Sequence, residues 1–402
     1  MRGQAVHLED ILTLCDSGEW GDDPVNGEGT PVLRVADVKA DNQISFSTAP
    51  IRALTASKRA TKTLRNGDII VVKSSGSATN VVSGRASLVT GIEDGCYGFA
   101  NFLLRLRVDD SRYSSHFLIY MLQSQQVRDY VLSMVSGSTY PNLRVPEYKR
   151  ILLPNPPLPE QRRIVTKLDA AFAALREAEG HLERNRANAR ELFESYLNGV
   201  FEGKEGWVEV RLGDLVDIQN GYAFKSISYT NSGHFLIRIS NVQDGRVTLD
   251  NPKYVAIDEP RKERFILDEG DILVSLTGNI GRVGLVKAEH LPAALNQRVA
   301  RVTIRERKRI QQSFLFFFLR STFFREHLQN AGHGAAQQNV STSEIAEVRF
   351  NMPPFDEQQQ VMEALGAIQE KTAELESTYA QKLLELGALK KSILGAAFRG
   401  EL

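Results

Sequence analysis

Two stretches of the chain carry the same alternation of apolar and polar residues. Positions 361, 365, 368, 372, 375, 379, 382, 386, 389 and 393 hold Val361, Leu365, Ile368, Thr372, Leu375, Tyr379, Lys382, Leu386, Leu389 and Ile393. Steps of four and three in alternation form the seam of a coiled coil. Moving back by 354 − 157 = 197 positions gives Ile164, Leu168, Ala171, Leu175, Ala178, Leu182, Asn185, Ala189, Leu192 and Tyr196. The alanines would let a partner helix come close, and Asn185 and Lys382 break the seam at the same place, where a polar residue can fix register. The starts repeat as well: PPLPEQRRIV at Pro156–Val165 returns as PPFDEQQQVM at Pro353–Met362. Pro159 suits a first helical position, Asp356 suits an N-cap, and Glu160 and Glu357 complement the positive helix end. At ~1.5 Å per residue, roughly 37 residues reach about 55 Å. Equal length and an equal seam predict two rigid spacer helices packed antiparallel.

The segments between them read as strand-rich. PVLRVADVKADNQISF at Pro31–Phe46 resembles HFLIRISNVQDGRVTL at His234–Leu249, and NGDIIVV at Asn66–Val72 resembles EGDILVS at Glu269–Ser275. Alternating Val and Ile closed by Asp-Asn or Asp-Gly turns predicts half-buried antiparallel sheet. HFLIYMLQSQQVRDYV at His116–Val131 and SFLFFFLRSTFFREHL at Ser313–Leu328 predict one buried helix in each half, again 197 apart. Gly137 and Asn142 then match Gly334 and Asn339, so length variation is confined to the front of each half, where a binding surface would be tuned. The expected fold is α+β, with two strand-rich domains in pseudo-twofold arrangement: 1–156, a helix over 157–206, 207–353, and a helix over 354–402.

With 402 residues, each domain can bury a core of its own. Cys15 and Cys96 are the only cysteines, too few for a disulfide framework or zinc cluster, and no metal site is expected. The longest apolar run, Phe314–Leu319, is far short of a membrane span, and without a leader the expected location is the cytoplasm. Lys plus Arg and Asp plus Glu both number 49, which weighs against a lone nucleic-acid binder. The Arg305–Arg309 cluster makes the second domain mildly basic, as a solvated face or a phosphate anchor.

SGSTYPNLRVPEYKRILLPNPPLPEQRRI at Ser136–Ile164, echoed by GHGAAQQNVSTSEIAEVRFNMPPFDEQQQV at Gly332–Val361, resembles the end of a target-recognition domain running into its spacer helix. This is the pattern of the specificity subunit of type I restriction-modification enzymes, and the resemblance covers the whole chain. It implies a non-catalytic reader of a two-part double-stranded DNA target, docked to two methyltransferase (modification) subunits and, in a full enzyme, two restriction subunits. It further implies no cofactor in this chain, S-adenosylmethionine in the modification subunit, and ATP and Mg in the restriction subunit. If partners supply much of the phosphate contact, net neutrality ceases to be an objection.

Base reading needs forks and amides: Arg for guanine, Asn or Gln for adenine, Ser or Thr for either. In the first domain the candidates are Ser75, Ser77, Asn80, Arg85, Tyr140, Asn142 and Arg144. In the second they are Thr277, Asn279, Arg282, Asn296, Gln297, Arg298, Gln337, Gln338 and Asn339. Ordinary tight turns are the competing reading of these glycine-rich loops, and the Gln337–Asn339 run stands out from it. An enzyme is the rival class. Asn155-Pro156-Pro157-Leu158 resembles the Asn-Pro-Pro-aromatic tetrapeptide of amino-methyltransferases but lacks the ring that stacks on a flipped base. No Walker loop or glycine-rich methyl-donor turn accompanies it. A coiled-coil adaptor and a specificity subunit working without a restriction motor are the other readings.

Overall fold

A computed structural model describes residues 5–74, 76–77, 80–135, 141–201, 205–331 and 339–402, with the backbone alone at 76, 77 and 331. The chain folds as two compact units, one of Met1–Leu182 with Gln381–Leu402, the other of Glu183–Ala380. In the first, strands β1 (Leu12–Ser17), β2 (Ile69–Val72), β3 (Ala86–Leu88) and β4 (Leu103–Val108) form an antiparallel sheet in the order β1-β4-β2-β3. In the second, β5 (Val216–Asn220), β6 (Ile272–Ser275), β7 (Val283–Leu285) and β8 (Val299–Ile304) repeat it as β5-β8-β6-β7.

The expected half-buried strand is in fact buried on both faces. Ile69 and Val71 join a core shared with the helices, while Ile70 and Val72 join Leu33 and Phe99 on the opposite face. Successive side chains point to opposite faces of a strand, so two covered faces require an unbroken apolar run. The antiparallel expectation for Pro31–Phe46 and its repeat holds on one side only: Thr30–Leu33 pairs antiparallel with Ile51–Arg52 and His234–Ile237 with Tyr254–Val255, and each has a parallel neighbour on the other side. Thr30–Leu33 pairs parallel with Gly98–Phe99, His234–Ile237 pairs parallel with Ala293–Leu295, and the chain then turns into a short 3-10 helix at Val35–Asp37. Parallel pairing needs a long crossover, which the intervening sheet strand and its loops supply. The turns fall where the sequence puts them, with Asn42 at φ 64° and Gly245 at φ 81° in the Asp244-Gly245 hairpin.

Each buried helix is two. Helices α1 (Ser115–Leu122) and α2 (Gln125–Val135) break at Ser124, and α4 (Gln312–Arg320) and α5 (Thr322–Ala331) break at Ser321. Both serines are buried, and their hydroxyls accept from the N–H groups of Val127 and Phe324. A buried hydroxyl that satisfies the first-turn donors of a new helix ends the old one.

The long helices are α3 (Leu158–Phe201) and α6 (Phe355–Arg399), and each runs through both units. In the first unit Ile164, Leu168 and Leu175 share a core with Leu394 and Ala397, the Lys390 ammonium lies 5.6 Å from the Phe172 ring centre, and Arg163 donates to the Leu402 carbonyl at 2.6 Å. The start of α3 therefore lies on the end of α6. In the second unit Phe193, Leu197 and Phe201 pack with Met362 and Leu365, and Arg190 pairs with Glu376 at 2.6 Å. Both pairings are antiparallel, as expected.

The seam itself drifts. Val361, Leu365, Ile368, Leu182, Leu386 and Ile393 lie inward or half-buried, but Leu192 is 58% exposed, Leu389 47% and Leu375 40%. Their places are taken by the next residue along, Phe193, Lys390 and Glu376. A straight helix falls behind a seven-residue repeat by about 20° per heptad, so four heptads accumulate about 80°, close to the 100° between neighbours. The same drift leaves Asn185 and Lys382 exposed, so neither interrupts the packed face. The helix starts shift by a similar step. Leu158 and Phe355 are the first helical residues, which puts Pro159 second and Asp356 inside the first turn rather than at the N-cap.

Candidate nucleic-acid interface

At one end of each four-stranded sheet three chain segments are tied together by backbone bonds. In the first domain Ser74, just past β2, bridges Asn142, the Leu143 N–H donates to the Lys73 carbonyl at 2.7 Å, and the Lys73 N–H donates to the Phe102 carbonyl at 2.9 Å. In the second, Thr277 bridges Asn339, the Val340 N–H donates to the Leu276 carbonyl at 2.9 Å, and the Leu276 N–H donates to the Arg298 carbonyl at 3.0 Å. The register is the same bond for bond. It fixes where side chains leave the backbone without fixing which side chains they are.

A glycine makes room for this in each domain. A Cβ on Gly18 would sit 1.8 Å from the Phe99 carbonyl oxygen, and one on Gly221 2.2 Å from that of Asn296. The strand leaving the sheet can cross there only without a side chain. Behind the crossing, the 3-10 turn after Leu33 is closed by Asp37, whose carboxylate accepts from the Arg34 N–H at 2.7 Å, the Arg34 guanidinium at 3.1 and 3.2 Å, and the Thr48 hydroxyl at 2.8 Å. Burial pushes the Asp37 carboxyl up, and these hydrogen bonds more than offset it, holding the group below the usual carboxylate range. Asn241 does the same work in the second domain with a neutral side chain, accepting from the Arg238 N–H at 3.2 Å.

The structure brings together Asn142 with the Ser74 end of the first loop, and Thr277, Arg298 and Asn339 in the second domain. Asn142, Asn339, Gln297 and Arg298 are exposed, as are Asn80, Arg144 and Asn279. The Arg298 guanidinium makes no hydrogen bond or ion pair with any described residue, so its fork is open. Arg85 and Arg282 occupy one equivalent position and are both engaged, Arg85 donating to the Val38 carbonyl at 3.1 Å and Arg282 to the Gln243 side chain at 3.1 Å. Asn296 is buried and its side-chain oxygen accepts from the Arg298 N–H, so it braces the loop. Ser75, Tyr140, Gln337 and Gln338 lie outside the described residues, as does the side chain of Ser77 on the Gly76–Ser77 strand.

The Arg305–Arg309 cluster is elsewhere. It follows the far end of β8, seven residues from Arg298 and so about 23 Å away at ~3.3 Å per residue. Arg305 is bonded to Asp217 and to the Gly213 carbonyl, while Arg307 and Lys308 are exposed. Among the described residues no group of His, Cys, Asp and Glu could hold a metal ion, and no helix is long and apolar enough to cross a membrane.

Two kinds of residue escaped the sequence reading. Phe102 is the first-domain partner of Arg298, hidden because Ala100-Asn101-Phe102 shares no residue type, place for place, with Asn296-Gln297-Arg298. Gln161 and Gln358, 197 positions apart, are fully buried. Gln161 accepts from the Ser114 N–H at 2.7 Å and donates to the Pro156 carbonyl at 2.8 Å. Gln358 accepts from the Gln311 N–H at 2.8 Å and donates to the Arg309 and Pro353 carbonyls at 2.9 and 3.2 Å. Each pins a long helix to the start of a domain helix. Their signal in the sequence is the repeated Glu-Gln of both helix starts.

The type I restriction modification DNA specificity domain matches residues 4–183 and again 204–385. The type I restriction enzyme EcoKI specificity subunit of Escherichia coli strain K12 is 26% identical over 354 residues, covering 83% of this chain and 75% of that relative. The MjaVIII specificity subunit of Methanocaldococcus jannaschii is 27% identical over 268 residues, 62% of this chain and 63% of that relative, so this match spans less than two thirds of its length. Among solved structures, a chain described under complex assembly and conformational transition of the type I R-M system aligns over 100% of this chain and 99% of its own, with TM-score 0.76 and 21% identity. The HsdS subunit from Thermoanaerobacter tengcongensis aligns with TM-score 0.57 and 23% identity over 100% of this chain and 97% of its own. Two sheets in one register, two long helices and two matched copies of the domain agree: the chain belongs to the family of the type I restriction modification DNA specificity domain.

Proposed function

We propose that this chain is the non-catalytic DNA-reading subunit of a type I restriction-modification complex, each domain reading one half of a two-part duplex target from the loop cluster at its sheet end. The observation that carries this is the repeated cluster itself, in which Ser74 with Asn142 and Thr277 with Asn339 stand in one backbone frame beside exposed amides and an open arginine fork. A common frame with different side chains is what two half-sites of different sequence require. The modules are residues 1–156 and 207–353, with the helices over 157–206 and 354–402 setting the spacing between half-sites.

The helices also serve as docks. Drift of the seam uncovers Leu192 and Leu389, which are equivalent residues, so the two helices share an exposed apolar position of the same kind. Two such sites suit two copies of a modification subunit, which would bring the S-adenosylmethionine; a restriction subunit would bring ATP and Mg. A specificity subunit that works with the modification subunit alone uses the same surfaces.

Methylation mapping with the assembled complex tests the reading. A two-part target is expected, and exchange of residues 207–353 for those of a relative should change one half and leave the other. A folded chimaera that changes both halves together would sink it. Leu192→Glu with Leu389→Glu should leave folding intact and weaken subunit assembly at least tenfold, as loss of buried anchors does; unchanged assembly would remove the helices as docks.

A further inference from the structure

Phe102 and Arg298 occupy one place in the repeated frame. The Phe102 carbonyl accepts from the Lys73 N–H and the Arg298 carbonyl from that of Leu276. One residue later Leu103 pairs with Val72 and Val299 with Ser275. Two residues earlier the Ala100 N–H donates to the Leu33 carbonyl at 2.9 Å and the Asn296 N–H to the Ile237 carbonyl at 3.3 Å. The backbone thus delivers both side chains to the same spot, next to Ser74 and Asn142 in one domain and Thr277 and Asn339 in the other.

Their chemistry is opposite. Phe102 is 54% exposed although Phe99, three residues before it, is fully buried, so the core has no use for the second ring. It stands at the edge of a hollow of about 450 Å³ lined by Trp20, Arg34 and Ala100, and the Arg52 guanidinium stacks on Trp20 at 4.6 Å, holding that wall in place. Arg298 is an open fork. Apolar side chains in the major groove meet the 5-methyl group of thymine, whereas an arginine fork meets O6 and N7 of guanine.

We propose that this position determines specificity in both domains, Phe102 selecting a thymine through its methyl group and Arg298 selecting a guanine through its acceptor edge. The inference rests on the DNA-reading function proposed above. It assigns one A·T pair to the half-site of the first domain and one G·C pair to that of the second.

The test uses the full chain assembled with its modification subunit, and binding to duplexes in which each pair of the target is changed in turn. Phe102→Ala should lose about 4-fold discrimination at a single A·T pair of one half-site, the worth of one buried methyl group, and Phe102→Leu, which keeps an apolar contact, should retain most of it. Deoxyuridine in place of that thymidine removes only the methyl group; it should weaken the unaltered protein and leave Phe102→Ala indifferent. Arg298→Ala should relax one G·C pair in the other half-site, with 7-deazaguanine there reproducing the effect. A uniform loss across all duplexes, no loss, or an unaltered protein insensitive to deoxyuridine overturns the assignment. An unaltered complex with no two-part preference overturns the DNA-reading function instead, so the two failures are distinguishable.

Discussion

The first domain and the second make the same backbone bonds and present different surfaces. The ties that join the three segments at each sheet end are main chain to main chain, and each neighbouring domain helix is held by a buried glutamine. What differs is a phenyl ring against a guanidinium, a carboxylate against an amide at the 3-10 turn, and loop length. Residues 73–85 join β2 to β3 where 276–282 join β6 to β7, six more in the first domain (13 − 7 = 6). Since the frame makes no demand on the phenyl ring or the guanidinium, those two are free to vary without cost to the core. A reading head with separate frame and surface can change its target while its fold stays put.

The largest test of that separation attacks the frame. Gly18→Ala and Gly221→Ala each drive a methyl group into a backbone carbonyl that cannot move without breaking the parallel pair. Each should cost about 3 kcal/mol in its own domain alone. Amide hydrogen exchange resolved by domain would show it; tolerance at either glycine would mean that the crossing is looser than the shared register implies.

The glutamine pins come next. Gln161→Leu strands the Ser114 N–H and Gln358→Leu strands that of Gln311, a loss of about 2 kcal/mol for each buried group left unsatisfied. Because the two sites are equivalent, the losses should agree within roughly 1 kcal/mol. Denaturant unfolding of the two variants compares them, and a large loss at one site with none at the other would separate the domains energetically.

The smallest effect sharpens the contrast at the 3-10 turn. The native pKa of Asp37 lies below that of the unfolded chain, so its contribution is present above about pH 4 and is lost as pH falls through the lower native value. Asn241 has no proton to gain. The Arg34 amide should therefore titrate in acid by NMR while the Arg238 amide does not; parallel behaviour of both would assign the change to something other than the cap.

The doubled plan was legible in the sequence because rigid helices tolerate no insertion, and the constant offset of 197 survives from the helix starts to Phe398. The seam was legible at most of its positions and misplaced at Leu192, Leu375 and Leu389, since a heptad count ignores the lag of a straight helix. The expected antiparallel pairing is present with partners some 20 residues away, while the parallel partners some 60 residues away were missed, a distance that local alternation does not encode. At the candidate interface, Asn142, Thr277, Arg298 and Asn339 were found by residue type. Phe102 was missed because an exposed aromatic residue reads as core until the register shows where it stands. Arg85 and Arg282 were found but turned out to be spoken for by Val38 and Gln243.

The division of the long helices bears on synthesis. The second unit is one continuous stretch, 183–380, whereas the first needs 381–402 to complete it, and Leu394 and Ala397 belong to its core. A ribosome that has made residue 182 must add 402 − 182 = 220 more before that core can close, about 10 to 45 s at ordinary rates. The domain made first therefore finishes second. We predict that released chains ending at residue 380 are protease-resistant over 183–380 and sensitive before it, and equal resistance in both would contradict this order. During that interval Ile164, Leu168 and Phe172 pack on the domain already made but lack the cover that Leu394 and Ala397 later supply.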